Sequence, residues 1–268
     1  MSRKMTTRPG ADRPLCEELR DYYGPLLPYL ERSLTDRGDR PLWRSLGRLH
    51  RGGRFLDVGA GTGRVTRWLA PYSRFTVALD LNPDALRRAR RWIGEAPRVH
   101  PLVADMRDFT LAARFDLVVA GNDPFSHLRS GRSRDRALRR ISEHLVPSGR
   151  FVLDALWLSP ARLEEASKPG GREMERTIPE SGNVPPLHVR SRWRCDPETR
   201  VCRIAWVVRE EGRDPVRARF RGRCWTRDEV DERFGRAGLA VHRVWGGYHR
   251  EPWSQEAEQL VVVGGPAP

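Results

Sequence analysis

Lysine is almost missing from this chain of 268 residues. Lys4 and Lys168 stand alone against a combined total of 49 lysines and arginines, so arginine carries the formal charge of +14. A biased codon pool gives such a ratio without functional demand. The arginines run along the whole chain with Asp and Glu between them, as in DEVDERFGR. That interleaving reads as a solvated surface more than as a nucleic-acid footprint, although a pI near 10.8 is compatible with nucleic acid as partner. Long apolar runs are also absent: no stretch of about 18 residues is fit to span a membrane. The charged start MSRKMTTRPGADRPL has no apolar segment behind it, which excludes a secretory signal and leaves the expectation of a disordered leader over 1–13. Cysteine is scarce. Cys16, Cys195, Cys202 and Cys224 include no C-x-x-C and have no histidines at zinc spacing, so no metal centre is expected. Cys195 and Cys202 flank a predicted hairpin turn and can approach each other. Two half-buried thiols on a sheet face fit better, in a reduced, cytoplasmic protein.

What is present is a rhythm. Residues 14–50 read as helices, the first broken at Pro25 and Pro28. From 51 to 157, short apolar strands (RFLDVGA, FTVALDL, VHPLVAD, FDLVVAG, GRFVLDALWL) alternate with helical segments. Asn82-Pro83 supplies the cap and first turn of one of them. This alternation predicts a parallel sheet with helices on both faces. It stops at 158, where a polar stretch leads into three runs, LHVRSRWRC, RVCRIAWVVRE and PVRARFRGRCW. These alternate arginine with apolar residues, the period of antiparallel strands with one wet face. An insertion over 158–225 is expected, then a core-completing segment over 226–268. The latter opens at Thr226 with a capping box in which Glu229 reaches back.

In FLDVGAGTGRV three glycines, Gly59, Gly61 and Gly63, let the chain turn tightly between strand and helix. The third glycine of a dinucleotide fingerprint is replaced by Arg64, and no Gly-Lys-Ser/Thr follows, so neither an NAD site nor a P-loop fits. Asp57, just before the first glycine, suits a cationic ligand better than a pyrophosphate.

These segments resemble the class I S-adenosylmethionine-dependent methyltransferases. Asp57 to Gly63, with Ala60 in the loop, matches the family's first motif. Asp80, followed by Leu81, matches the acid that holds the ribose hydroxyls. Asp105-Met106 matches the pair at the adenine edge, and Ala120-Gly121-Asn122 follows the fourth strand, where the methionine part lies. The resemblance implies a Rossmann-like, doubly wound α/β fold with a seven-stranded sheet, N-terminal helices over the cofactor and an antiparallel β insertion. It implies S-adenosyl-L-methionine as cofactor in a monomer or homodimer.

The acceptor side is less determined. Asn122-Asp123-Pro124-Phe125 resembles the (D/N/S)-P-P-(F/Y/W) signature of nucleic-acid amino-methyltransferases, but Asp123 stands where the first proline belongs. Ser126-His127-Leu128, Ala237-Gly238-Leu239 and Gly246-Gly247-Tyr248 instead resemble a small-molecule branch. The expectation is methyl transfer to oxygen or nitrogen of a small acceptor. An RNA or DNA methyltransferase and a non-catalytic cofactor-binding scaffold are the alternatives. His127 is the candidate base, or else a structural imidazole. Asp123 is a candidate to hold a cationic amine, and Phe125, Tyr248 and His249 are candidates to touch the acceptor. Tyr22 and Tyr23 read as core. Trp157, Trp193, Trp206 and Trp225 read as packing for the insertion, with one or two in an apolar acceptor pocket.

Overall fold

A computed structural model describes residues 15–33, 37–93, 98–180 and 185–268; the expected leader over 1–13 lies outside them. The elements run α1 (Leu15–Ser33), α2 (Arg40–Leu49), β1 (Arg54–Val58), α3 (Thr66–Leu69), β2 (Phe75–Asp80), α4 (Pro83–Ile93), β3 (Val99–Val103), β4 (Phe115–Ala120) and α5 (Gly131–Glu143). Then come β5 (Leu145–Ala155), α6 (Pro160–Ser167), β6 (Arg172–Ile178), β7 (Leu187–Cys195), β8 (Val201–Glu210), β9 (Val216–Arg223), α7 (Arg227–Arg236), β10 (Leu239–Trp245) and β11 (Leu260–Pro266).

Seven strands form one sheet in the order β10-β11-β5-β4-β1-β2-β3. β1 lies between β2 and β4, parallel to both, and β11 returns antiparallel to β5. The strand order reverses between β1 and β4, so the carboxyl ends of these strands open a crevice there. The core explains the apolar strand runs: Leu56, Val58, Val118, Phe151, Leu153 and Val262 are buried on one face, and Phe55, Leu117, Val119, Val152 and Val261 on the other. Strands covered on both faces lose the alternation of half-wet strands.

The second sheet has four strands, β6-β7-β8-β9, all antiparallel. β6, with α6 before it, occupies the stretch that reads as polar loop in the sequence. REMERTI carries almost no apolar signal because the strand is an edge, largely exposed. α1 also differs from expectation. It is continuous through Pro25 and Pro28, because its apolar stripe stays in phase. Tyr22, Leu26 and Tyr29 pack against Leu187, Val189, Val208 and Ala218 of the second sheet. Tertiary burial here outweighs the lost helix bonds.

Two local readings are corrected. Cys195 and Cys202 are joined in a disulfide, Cα atoms 4.0 Å apart, rather than standing as two thiols. They are directly opposite in the β7–β8 ladder, which brings their side chains together. At α7, Thr226 accepts a hydrogen bond from Glu229 N as a capping residue should. The Glu229 carboxylate, however, turns to Arg134, Arg223 and Arg233 instead of back to the cap.

Candidate active site

Two cavities lie at the carboxyl ends of the parallel strands, under α1. One is lined by the glycine loop and the strand ends: Asp57, Ala60, Gly61, Asp80, Leu81, Asp105 and Met106, with Gly59, Gly121 and Asn122. The other lies between α1, the end of β5 and the inner face of the second sheet, where Trp157, Trp193, Trp206 and Phe220 line it. Tyr23, Leu30, Asn122 and His127 line both, so the cavities meet at these four residues.

The first cavity is built by the turn after β1. Gly59, Gly61 and Gly63 all have positive φ (71°, 56° and 80°). A Cβ at Gly59 would lie 2.3 Å from Pro124, so the loop after β4 can approach only because this residue is glycine. At Gly61 a Cβ would meet nothing within 4 Å; the turn faces open space there. Gly63 does not line the cavity; its N–H donates to Ala60 O and closes the turn. Ala120 is also absent from the wall, being fully buried in the sheet core.

The acids are held in place. Thr66 Oγ1 donates to Asp57 at 2.6 Å, and burial raises the Asp57 pKa to about 6 against that hydrogen bond. Asp80 accepts from Gly61 N and Asn82 N, at 2.7 and 2.8 Å, and burial pushes its pKa upward. Asp105 is half-buried, which by itself raises its pKa, but the Arg107 fork and N–H outweigh burial and hold it low.

Two side chains that sequence reading missed complete the wall. Asn82 caps α4, its Oδ1 accepting from Asp84 N, while its Nδ2 is buried without a protein partner. Arg64 pairs with Asp39 at 2.7 Å through Nη1, and its Nη2 is likewise buried and unpartnered. The cavity therefore offers carboxylates for hydroxyls and a cation, and two unsatisfied donors for a carboxylate or ring nitrogens. That donor set fits S-adenosylmethionine. The signals for both residues were local: the charge directly after GTG, and a cap whose second amide atom was left to account for.

The loop after β4 is tied from beneath. Asn122 and Asp123 have φ of 61° and 40°. Proline, locked near −65°, cannot occupy the Asp123 position, so the resemblance to the two-proline signature stops at the backbone. Asp123 lines the second cavity, but not as a free carboxylate. It accepts from Leu156 N at 2.7 Å and from the Trp225 indole at 3.5 Å, and burial lifts its pKa to about 7. Phe125 lies in the core against Phe151 and Trp225, fully buried, rather than at the acceptor. Tyr248 is also buried and lines neither cavity. Its hydroxyl donates to Asp154 and accepts from Arg37, and Asp154 in turn accepts from Asn122 N. His249 is exposed, its N–H bonded to Glu251, away from both cavities.

His127 does stand at the junction. Tyr23 Oη lies 2.8 Å from its Nε2, and its ring packs among Tyr22, Tyr23 and Phe220. Burial, with Arg129 nearby, lowers its pKa to about 3. Tyr23 therefore belongs to the site and not only to the core; burial keeps its hydroxyl protonated.

Residues 55–149 match the family model described as a methyltransferase domain. The dTDP-3-amino-3,6-dideoxy-alpha-D-glucopyranose N,N-dimethyltransferase of Streptomyces fradiae is 30% identical over 194 residues, 72% of each chain. Among solved structures, the CcbJ methyltransferase from Streptomyces caelestis superposes with a TM-score of 0.76 at 19% identity, covering 94% of this chain and 98% of that one. SAM-bound CalS10, an amino pentose methyltransferase from Micromonospora echinaspora, gives 0.67 at 26% identity over 86% and 91% of the two chains.

Proposed function

From the premise that this chain belongs to the S-adenosylmethionine-dependent methyltransferases, we propose that it methylates an amine nitrogen of a small acceptor seated between α1 and the second sheet. The chain is an enzyme that moves a methyl group to nitrogen or oxygen of a small molecule; nitrogen is the finer reading. It is carried by the junction of the two cavities at Tyr23, Leu30, Asn122 and His127.

The cofactor, when bound, supplies a methyl group already activated on a sulfonium sulfur. What remains for the protein is alignment and exclusion of water. Asp80 and Asp105 would take the ribose hydroxyls and the adenine amine. Asp57 would meet the cationic end, and Arg64 and Asn82 would supply the unsatisfied donors. α1 covers the cavity through Leu15, Leu19 and Leu27.

His127, with a pKa of about 3, is a poor proton acceptor, and the Asp123 carboxylate is committed to Leu156 N and the Trp225 indole. An alcohol needs a base to become a nucleophile; a neutral amine attacks with its own lone pair and sheds its proton afterwards. His127 and Tyr23 then orient the amine by hydrogen bonds. The S. fradiae relative and CalS10 are named for amino-sugar acceptors, which supports the same choice.

The test pairs each acceptor with its isostere. Amino-sugar nucleotides and the matching hydroxy sugars are incubated with the protein and methyl-labelled cofactor. Label is expected on the amines alone. Label on the hydroxy sugars at comparable rates would overturn the nitrogen assignment.

A further inference from the structure

The outward arginines of β7, β8 and β9 serve no part of this chemistry, and the fold gathers them on one face. Along β7, Arg190, Arg192 and Arg194 point outward; along β9, so do Arg217, Arg219 and Arg221. The inward residues between them, such as Val189, Ser191 and Ala218, are buried. The ladder sets Arg194 opposite Arg203 and Arg203 opposite Arg221. Arg192 and Arg219 flank Ala205, and Arg190 and Arg217 flank Val207. The result is a trough. Two parallel columns of arginine stand about 10 Å apart, with about 6.7 Å between successive residues, over a floor of Ala205 and Val207.

Acids hardly compensate this face. Glu173 binds Arg190 and Arg192, and Glu175 also binds Arg190. Arg194, Arg203, Arg209, Arg217, Arg219 and Arg221 are exposed, and their side chains have no ion-pair or hydrogen-bond partner among the described residues. Like charges directly opposite in a ladder are destabilising, so this arrangement costs the fold stability.

We propose that this trough is a docking site for the phosphate backbone of nucleic acid. Regular rows of guanidinium forks suit a linear polyanion of evenly spaced phosphates, each fork taking two oxygens. An acidic protein surface has no such repeat. His188, bonded to Thr177, is the one aromatic ring on this face among the described residues, and no helix is there to enter a groove, so the binding is independent of sequence. The opposite face of the same sheet lines the acceptor cavity, through Ser191, Ile204 and Trp206. A nucleic acid on the outer face therefore docks without being the acceptor.

The test is fluorescence anisotropy of the full chain with a 20-base-pair duplex of arbitrary sequence, from 50 to 200 mM salt. About six phosphate contacts should weaken binding by about a thousandfold across that range. The triple variant Arg203→Ser, Arg219→Ser and Arg221→Ser should lose about half of the logarithmic salt slope. A control triple on other exposed surfaces, Arg90→Ser, Arg91→Ser and Arg139→Ser, should keep it. Methyl transfer to a small amine should be unchanged in both. An equal slope in trough variant and wild type would overturn the assignment. So would displacement of the duplex by polyglutamate at equal charge concentration, which would make the face a site for acidic protein, or binding to phosphatidylserine vesicles in place of the duplex.

Discussion

The hydroxyl of Tyr23 and Nε2 of His127 lie 2.8 Å apart although 104 residues separate them in the chain. One comes from the helix over the cofactor cavity, the other from the short turn after β4. Both residues line both cavities, at the junction where the two meet.

Because burial holds His127 near a pKa of 3, it is neutral throughout the working range. Replacing it by Gln should cost no more than about tenfold in kcat, the scale of a lost orienting bond rather than a lost base. The profile of kcat against pH from 6 to 9 should keep its shape in His127→Gln. A loss of a thousandfold or more, or disappearance of an inflexion near pH 7, would restore the base.

Asp57 has its pKa raised to about 6, so its carboxylate is ionised at pH 7.5 and protonated below 6. A cationic ligand favours the ionised form. Cofactor affinity should therefore fall as pH drops through about 6, approaching tenfold per unit. Titration calorimetry of Asp57→Asn should show weaker binding at pH 7.5 and a flatter dependence below 6.5.

Glu229 takes Arg134, Arg223 and Arg233 together, and Arg134 is wholly buried above the Trp225 ring. Glu229→Gln leaves the buried Arg134 guanidinium without its ion-pair partner. The expected cost is about 3–5 kcal/mol, read as a lower denaturation midpoint with unchanged m. Asp228→Asn, on the same first turn of α7 and outside this cluster, should cost under about 1 kcal/mol.

Phe125→Ala separates a core role from an acceptor role. A fully buried ring should cost about 3–5 kcal/mol on truncation. In the fraction that stays folded, KM for the acceptor should be within about threefold of wild type. A large rise in KM without loss of stability would put the ring back at the acceptor.

The grouping of the three acids could be read from short segments because each segment is local. A carboxylate ahead of a glycine turn, or an acid at the end of a strand, needs only its chain neighbours and the parallel sheet to face the crevice. Asp57, Asp80 and Asp105 accordingly share one cavity. The acceptor side resisted because loop residues have no such rule. Asn122 to Leu128 reads as one candidate patch, yet φ of 40° at Asp123 turns its carboxylate toward Leu156 and Trp225 and Phe125 into the core. Tyr248, a candidate from the sequence to touch the acceptor, is a buried support for Asp154.

Periodicity and glycine turns act over a few residues, so the α/β core, the order of its motifs and the class of ligand that suits them were legible in the primary structure. That Tyr23 meets His127, that REMERTI is a strand, that Cys195 bonds Cys202 and that scattered arginines stand in two rows emerged with the folded chain. Those outcomes depend on which distant strands pair and in what register, and a register of one residue more or less would turn every one of those arginines to the opposite face.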